Sequence, residues 1–368
     1  MINEVLLTSI CRPKQWKTIS SSDLHNIGFP VYGANGKIGF YNTYTHEYPT
    51  VLITCRGATC GTINICEPKS YVNGNAMALD NLSSNVDMYY LKHYLEYRKL
   101  DDVISGSAQP QITGQGLSKV KIPLPPLPQQ QKIANILDAA DALRQNDKAL
   151  IAKYDKLTQA LFLDMFGDPV NNPKGWKILP LKKFGAIITG NTPSRNNNEF
   201  YSSSFIEWIK TDNITNENIY VTTAKEYLSE IGLSNSRYAE KGSLLVACIA
   251  GSINSIGRAS LTDRKVSFNQ QINAIQPNSD VSSFFLYHLF KNTSKYVQDH
   301  ATNGMKRILT KGAFEKIEMI KPSISLQNQF TERVALIEEQ KGIAQKSIEK
   351  SEELFNSLLQ KAFKGELV

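Results

Sequence analysis

Between about Gln129 and Phe166, apolar side chains recur at intervals of three and four: Ile133, Ile136, Ala140, Leu143, Leu150, Tyr154, Leu157 and Leu161, with Asp147 as a polar interruption. That spacing predicts a heptad seam along one face of a single long helix. At ~1.5 Å per residue the helix extends about 55 Å, more than a small domain is wide. Gly167-Asp168-Pro169 supplies its stop, because glycine accepts a left-handed cap and proline cannot continue a helix. A second long helix is predicted from about Leu326 to Lys364, with Phe330, Val334, Ile337, Ala344, Leu354, Leu358 and Ala362 on its seam and Gln340, Ser347 and Ser351 weakening its middle. A lone apolar seam cannot remain in water, so the two helices are expected to pack on each other, antiparallel.

Ahead of each long helix the pattern changes. The segments at 48–57 (YPTVLITCRG) and 242–251 (GSLLVACIAG) are β-rich, apolar and bounded by Gly or Pro, as buried strands are. Asn35-Gly36, inside VYGANGKIGF, is a tight-turn signal between β-formers. Segments 88–100 and 284–297 carry apolar residues at helical spacing, and each is followed by a Gly-containing loop and an extended run into the long helix.

These segments are two versions of one unit. Thr113/Thr310, Lys119/Lys316, Gln130/Gln327, Ile133/Phe330, Leu137/Val334, Leu161/Leu358 and Phe166/Phe363 all lie 197 positions apart. Gly61/Gly257 and Asn73/Asn269 lie 196 apart, and His93/His288 lie 195 apart, so the copies differ by short indels. A period this long marks two domain-sized copies rather than a solenoid. Upstream of Gly61 the copies diverge, and the second is longer. The expected architecture is α+β: two pseudo-symmetric mixed α/β domains separated by two long antiparallel coiled-coil helices. The boundaries read as 1–128 and 167–325 for the domains, with 129–166 and 326–368 for the helices.

The chain has 368 residues, 41% hydrophobic positions and a net charge of +7, compatible with a polyanionic partner. It has no apolar run of membrane-spanning length and no signal-peptide pattern, so a cytoplasmic location is expected. Cys11, Cys55, Cys60, Cys66 and Cys248 form neither a CxxC pair nor a balanced disulfide framework; reduced thiols are expected and no zinc site. Motifs for phosphate-loop, hydrolase, zinc-protease or amino-methyltransferase chemistry are missing. His93 and His288 fall within helical apolar patterns and read as structural.

Groups suited to recognising nucleic acid are better represented. The first copy offers Tyr32, Asn35, Lys37, Tyr41, Arg56 and Thr59. The second offers Arg195, Asn197, Lys210, Asn254, Arg258, Lys306 and Arg307. Arginine and asparagine can pair in two-pronged fashion with base edges, while lysine and threonine suit phosphates. These candidates are concentrated where the copies differ.

The stretch YGANGKIGFYNTYTHEYPTVLITCRGATCGTINI with YVNGNAMAL, the exit PLPPLPQQQKIANILDAAD, and LTQALFLDMFGDP with its echo LFNSLLQKAFKGEL together resemble the specificity subunit of a type I restriction–modification system over essentially the whole chain. The resemblance implies two target recognition domains, each reading one half of a split site in double-stranded DNA, and two helices that set the unread spacer. It implies no catalysis and no cofactor on this chain. Two methyltransferase subunits would carry S-adenosylmethionine, and restriction/translocase subunits would use ATP and Mg. The first domain is shorter than the second, which puts the extent of its reading loops in question. A stand-alone sequence-specific DNA-binding protein and the recognition part of a combined restriction–methylation enzyme are the alternatives.

Overall fold

The computed structural model describes residues 3–34, 36–106, 109–302 and 307–367. It contains two compact units. One comprises residues 1–149 and 344–368, the other residues 150–343. Each unit therefore holds one strand-rich domain, part of the first long helix (Leu127–Phe166) and part of the second (Ile324–Lys364).

The two domains repeat one topology. In the first unit an antiparallel sheet runs in the order Arg12–Gln15, Ala76–Asp80, Val51–Thr54, Ile63–Ile65. In the second the same order is Gly185–Thr189, Ile272–Pro277, Leu244–Ala247, Ala259–Leu261. Central strands such as Val51–Thr54 and Leu244–Ala247 are buried at every position, which is why they read as unbroken apolar runs. A second sheet in each unit, of three strands in the first and four in the second, contains one parallel pair, Val31 beside Tyr71 in the first and Trp208 beside Ser267 in the second. In each unit a short pair also joins the strand at the start of the domain to the strand just before the long helix: Glu4–Leu6 with Lys121–Pro123, and Ile178–Pro180 with Glu318–Ile320.

The divergence between copies has a definite location. Phe29–Gly33 turns directly into Gly36–Tyr41 in the first unit. In the second, Ile206–Ile209 reaches its neighbour Tyr227–Leu228 only after residues 210–226. The neck of that insertion is fastened by Glu207, whose carboxylate accepts from the Ala224 amide at 2.9 Å and from the Arg264 guanidinium. A further ion pair there joins Lys210 to Glu226.

A glutamine joins each domain to its helix. Gln130 is fully buried; its amide nitrogen donates to the carbonyls of Asn85 (3.0 Å) and Pro125 (2.8 Å), and its oxygen accepts from the Asp87 backbone amide at 2.8 Å. Gln327 repeats the arrangement with Asp280 (3.3 Å), Pro322 (2.8 Å) and the Ser282 amide (2.9 Å). Both clamps hold the loop that starts a domain helix, Met88–Arg98 or Ser283–Asn292, against the first turn of a long helix.

Beyond the clamps, each domain helix sits on an apolar layer built from both long helices. In the first unit Tyr90 packs among Ile133, Leu137, Phe355 and Ala362. In the second, Phe162, Phe166, Phe285 and Phe330 form a fully buried aromatic cluster. Within each unit the two long-helix segments run antiparallel: Asp147 meets Ser347 and Ser351 while Tyr90 lies by Phe363, and Asp155 meets Lys341 while Phe166 lies by Phe330. Gly167 (φ +77°) and Gly365 (φ +79°) end the two helices in the left-handed region open to glycine.

The seam between the helices differs from the one expected. The inward positions of the first helix are Gln130, Ile133, Leu137, Ala140, Arg144, Asp147, Ile151, Tyr154, Thr158, Leu161 and Met165. Each has an inward counterpart 197 residues later, from Gln327, Phe330 and Val334 through Ile337, Lys341 and Ala344 to Phe355, Leu358 and Ala362. Leu143, Leu150 and Leu157, expected on the seam, are instead 46%, 39% and 50% exposed, and Leu354 is 47% exposed. Ile136 is half-buried beside the seam. The error is one residue, which on an α-helix is a turn of about 100°. It arises because the true seam is polar at its centre. Arg144 lies 4.4 Å over the Phe355 ring and pairs with Asp141, and Thr158 donates to the Tyr154 carbonyl at 3.1 Å. Asp147, also buried, accepts from the hydroxyls of Ser347 and Ser351, each at 3.0 Å.

All five cysteines are free, and burial pushes the thiols of Cys11 and Cys248 up to about 12. Among the described residues no helix is long and apolar enough to cross a membrane, and no three His, Cys, Asp or Glu side chains are grouped to hold a metal ion.

The repeated histidines have unequal partners. His93 Nε2 lies 2.7 Å from Asp138. Ala335 occupies the position 197 after Asp138, and the buried Nε2 of His288 has no hydrogen-bond partner among the described residues. Burial, reinforced by the Lys291 and Lys341 charges, pushes the His288 imidazole down to about 3.

Two outcomes follow. Gln130→Ala leaves two carbonyls and an amide without partners, and urea denaturation should show a loss of about 2–4 kcal/mol. His288 is neutral in the folded protein and takes up a proton on unfolding below its ordinary value near 6.5. Its stabilisation is therefore complete above that pH and is lost as pH falls toward 3. Between pH 7 and pH 5 the native chain should lose about 1–2 kcal/mol more stability than His288→Gln, measured by denaturant titration at both pH values.

Candidate nucleic-acid interface

The hairpin of the first unit carries several of the residues selected from sequence, and most have structural work. Tyr32 is buried and donates to Glu67 at 3.2 Å; burial is the main reason its phenol is raised above its ordinary value. Lys37 pairs with the same carboxylate at 3.3 Å. Tyr41 is half-buried, with its ring edge-on to Tyr71 at 5.5 Å and parallel to His25 at 6.2 Å. Thr59 and Thr54 both donate to the Ala34 carbonyl, at 3.1 and 2.8 Å, and so pin the tip of the hairpin. Asn35 lies outside the described residues. Arg56 differs from these: it is exposed, forms no ion pair among the described residues, and stands where its backbone bridges to Gln111.

In the second unit Arg195, Asn197 and Lys210 are also engaged. The Arg195 guanidinium lies 4.5 Å from the Tyr201 ring centroid and 4.9 Å from that of Trp208, and it pairs with Glu226 at 2.5 Å. Lys210 binds the same carboxylate and lies 5.0 Å over Trp208. These cations, Lys210 foremost, hold the Glu226 carboxyl below its usual range. Asn197 caps the turn at Asn198–Tyr201 by accepting from the Glu199 amide at 3.0 Å. The cluster is a cation–aromatic platform in which one acid offsets one of two positive charges, and its planar guanidinium is already oriented.

Asn254 and Arg258 come together on the wall of a cavity of about 270 Å³, with Asn216 and Lys291 also lining it. Arg307 is half-buried on a strand pairing with Ile249–Ala250, and Lys306 lies outside the described residues. Within the second unit the described candidates thus fall into three places: the Glu226 cluster, the wall of this cavity and the strand that carries Arg307. Sequence reasoning missed Glu226, Lys291 and Asn216. No local motif marks Glu226 or Asn216, but the repeat itself flags Lys291, which replaces Glu96 at the 195-residue offset shared by the two histidines.

A family model described as the type I restriction modification DNA specificity domain matches residues 2–153 and again 173–350, most of the chain. The chain belongs to this family. Its two matched segments correspond to the two copies of the repeat. The HindI type I restriction enzyme specificity subunit of Haemophilus influenzae is 35% identical over 170 residues, 45% of this chain and 36% of the relative. The chain thus spans about a third of that relative's length in the match. A putative specificity subunit of the same organism, S.HindORF215P, is 25% identical over 75% of this chain and 72% of its own length. Among solved structures, the type I S subunit from M. genitalium aligns over 98% of this chain and 95% of its own with a TM-score of 0.65 at 15% identity. A chain from a structure of type I R-M complex assembly and conformational transition aligns with a TM-score of 0.57, also at 15% identity, over 99% and 98% of the two chains. These likenesses establish a fold shared with specificity subunits: two mixed α/β domains with two long antiparallel helices.

Proposed function

We propose that this chain is the DNA-specificity subunit of a type I restriction–modification complex. Residues 1–128 and 167–325 each read one half of a bipartite double-stranded site, and the helices 129–166 and 326–368 set the interval between the halves. The observation that carries this reading is the repeat in three dimensions. Two copies of one strand order are fixed to the helices by the same glutamine clamp, yet they differ in the surface chemistry of their hairpins and insertion. A frame that is constant between copies and a surface that varies is the division expected of a reader of two unlike half-sites.

The chain supplies no reacting group in this scheme. Methylation with S-adenosylmethionine is assigned to two methyltransferase subunits, and ATP- and Mg-dependent translocation and cleavage to restriction subunits. The apolar residues Leu143, Leu150 and Leu157, seven apart and exposed on the first long helix, suit the docking of such partners. Arg56 in the first domain is an exposed cation outside any ion pair among the described residues and can meet DNA directly, and Arg195 and Lys210 in the second can do so by exchanging Glu226 for phosphate or a base edge.

Replacing residues 1–128 with the corresponding domain of a relative should alter one half of the methylated sequence and leave the other unchanged, read by single-molecule methylation mapping; a change in both halves sinks the two-reader scheme. The interval has its own test. Because inward positions alternate by three and four, adding one heptad after Asp147 and one after Ala344 keeps the seam in phase. Each helix then lengthens by ~10 Å, so the spacer should grow by about three base pairs at ~3.4 Å per pair. An unchanged spacer in the methylome of the modified strain would remove the measuring role.

A further inference from the structure

Both units carry a groove between the domain helix and the hairpin that holds Gly61 or Gly257, and the two grooves have opposite electrostatic character. In the first unit the groove, about 280 Å³, is lined by Thr62, Glu96, Lys99 and Asp101 among others. In the second, Arg258 stands 196 after Thr62 and Lys291 stands 195 after Glu96, and none of the described residues lining the cavity is a carboxylate. The insertion 210–226 adds Thr215 and Asn216 to its wall, and Asn254 adds another amide. Among the described residues neither Arg258 nor Lys291 takes part in an ion pair; Arg258 only donates weakly to the Ser255 carbonyl at 3.5 Å. A half-buried guanidinium and an exposed ammonium, neither of them in an ion pair among the described residues, stand beside the neutral hydrogen-bonding side chains of Thr215, Asn216 and Asn254 and form an electrostatic set that an oxyanion completes. A neighbouring cavity shares Lys291 and Tyr287 and does contain acids, Asp155, Glu217 and Glu338, so the missing negative charge belongs to the Arg258 side.

We propose that the cavity bounded by Arg258, Lys291, Asn254 and Asn216 is a phosphate-binding site of the second unit with no counterpart in the first. The guanidinium takes two phosphate oxygens side by side, the ammonium neutralises the remaining charge, and the asparagine amides donate to the flanks. A cavity of about 270 Å³ is larger than one phosphate, so the group enters attached to something else. The backbone of a DNA duplex and a free nucleotide share this chemistry. Only the choice of DNA rests on the function proposed above; the site itself rests on the charge inversion between the two copies.

The test uses the full chain with inorganic phosphate, followed by phosphorus NMR titration at constant ionic strength. Saturable binding is expected in the native chain, with affinity reduced at least tenfold in Arg258→Gln and in Lys291→Gln and partly retained in Arg258→Lys; circular dichroism confirms that each variant is folded. Glu96→Gln, in the matching groove of the first unit, should bind phosphate as the native chain does. No saturable binding, or equal binding by native chain and the two Gln variants at 258 and 291, overturns the site. Displacement of phosphate by a 30-base-pair duplex marks DNA as the source, whereas displacement by ATP but not by the duplex marks a small ligand; either supports the site. Phosphate binding in a chain whose complex with its methyltransferase shows no sequence-specific DNA binding would retain the site and reject the proposed function.

Discussion

The two buried glutamine amides, Gln130 and Gln327, fix everything that lies beyond them. Each spends both amide hydrogens and one oxygen lone pair on backbone groups of a domain loop and of the run into a long helix. An amide in a dry site with three partners tolerates neither a rotation of the helix nor a one-residue slip, because either leaves buried donors and acceptors unpaired. The azimuth of each long helix relative to its domain is thereby set at the first turn. Hydrophobic contacts then follow: once Gln130 faces the domain, Ile133, Leu137 and Ala140 must face the same layer.

Much of this frame was legible in the sequence. The long helices announced themselves through periodicity and, for the first, a glycine stop, and the repeat through constant offsets that included both glutamines. The strand cores were readable because buried central strands are apolar throughout. The phase of the helix seam was not readable, for a physical reason. Leu143, Leu150 and Leu157 satisfy an apolar criterion, whereas Arg144 and Thr158 satisfy the geometry by stacking on Phe355 and by donating to the Tyr154 carbonyl. A side chain that brings its own partner can hold a seam position that hydropathy assigns to its neighbour.

The candidate interface shows the same limit. Residue type pointed to cations and amides, and the structure divides them by what they touch. Tyr32 and Lys37 share Glu67, Arg195 and Lys210 share Glu226, and Asn197 closes a turn. The carboxylate pairs join residues distant in sequence, from 16 to 35 positions here, so no local pattern reveals them. Arg56, Arg258 and Lys291 stand apart as cations without an acid partner among the described residues. Charge inversion at equivalent positions, Thr62 to Arg258 and Glu96 to Lys291, was in principle visible from the repeat, but its meaning required the cavity.

The division of the chain into units also bears on the order in which it folds. Residues 344–368 complete the unit that contains residues 1–149, and they leave the ribosome roughly two hundred residues after its domain does. Until then Tyr90, Ile133 and Leu137 lack the cover of Phe355 and Ala362. The segment 150–343 is contiguous and depends on no such delayed piece. The earlier-made domain is therefore the later to finish, with an apolar helix face unprotected during synthesis, which makes it the half most dependent on chaperones and most exposed to aggregation.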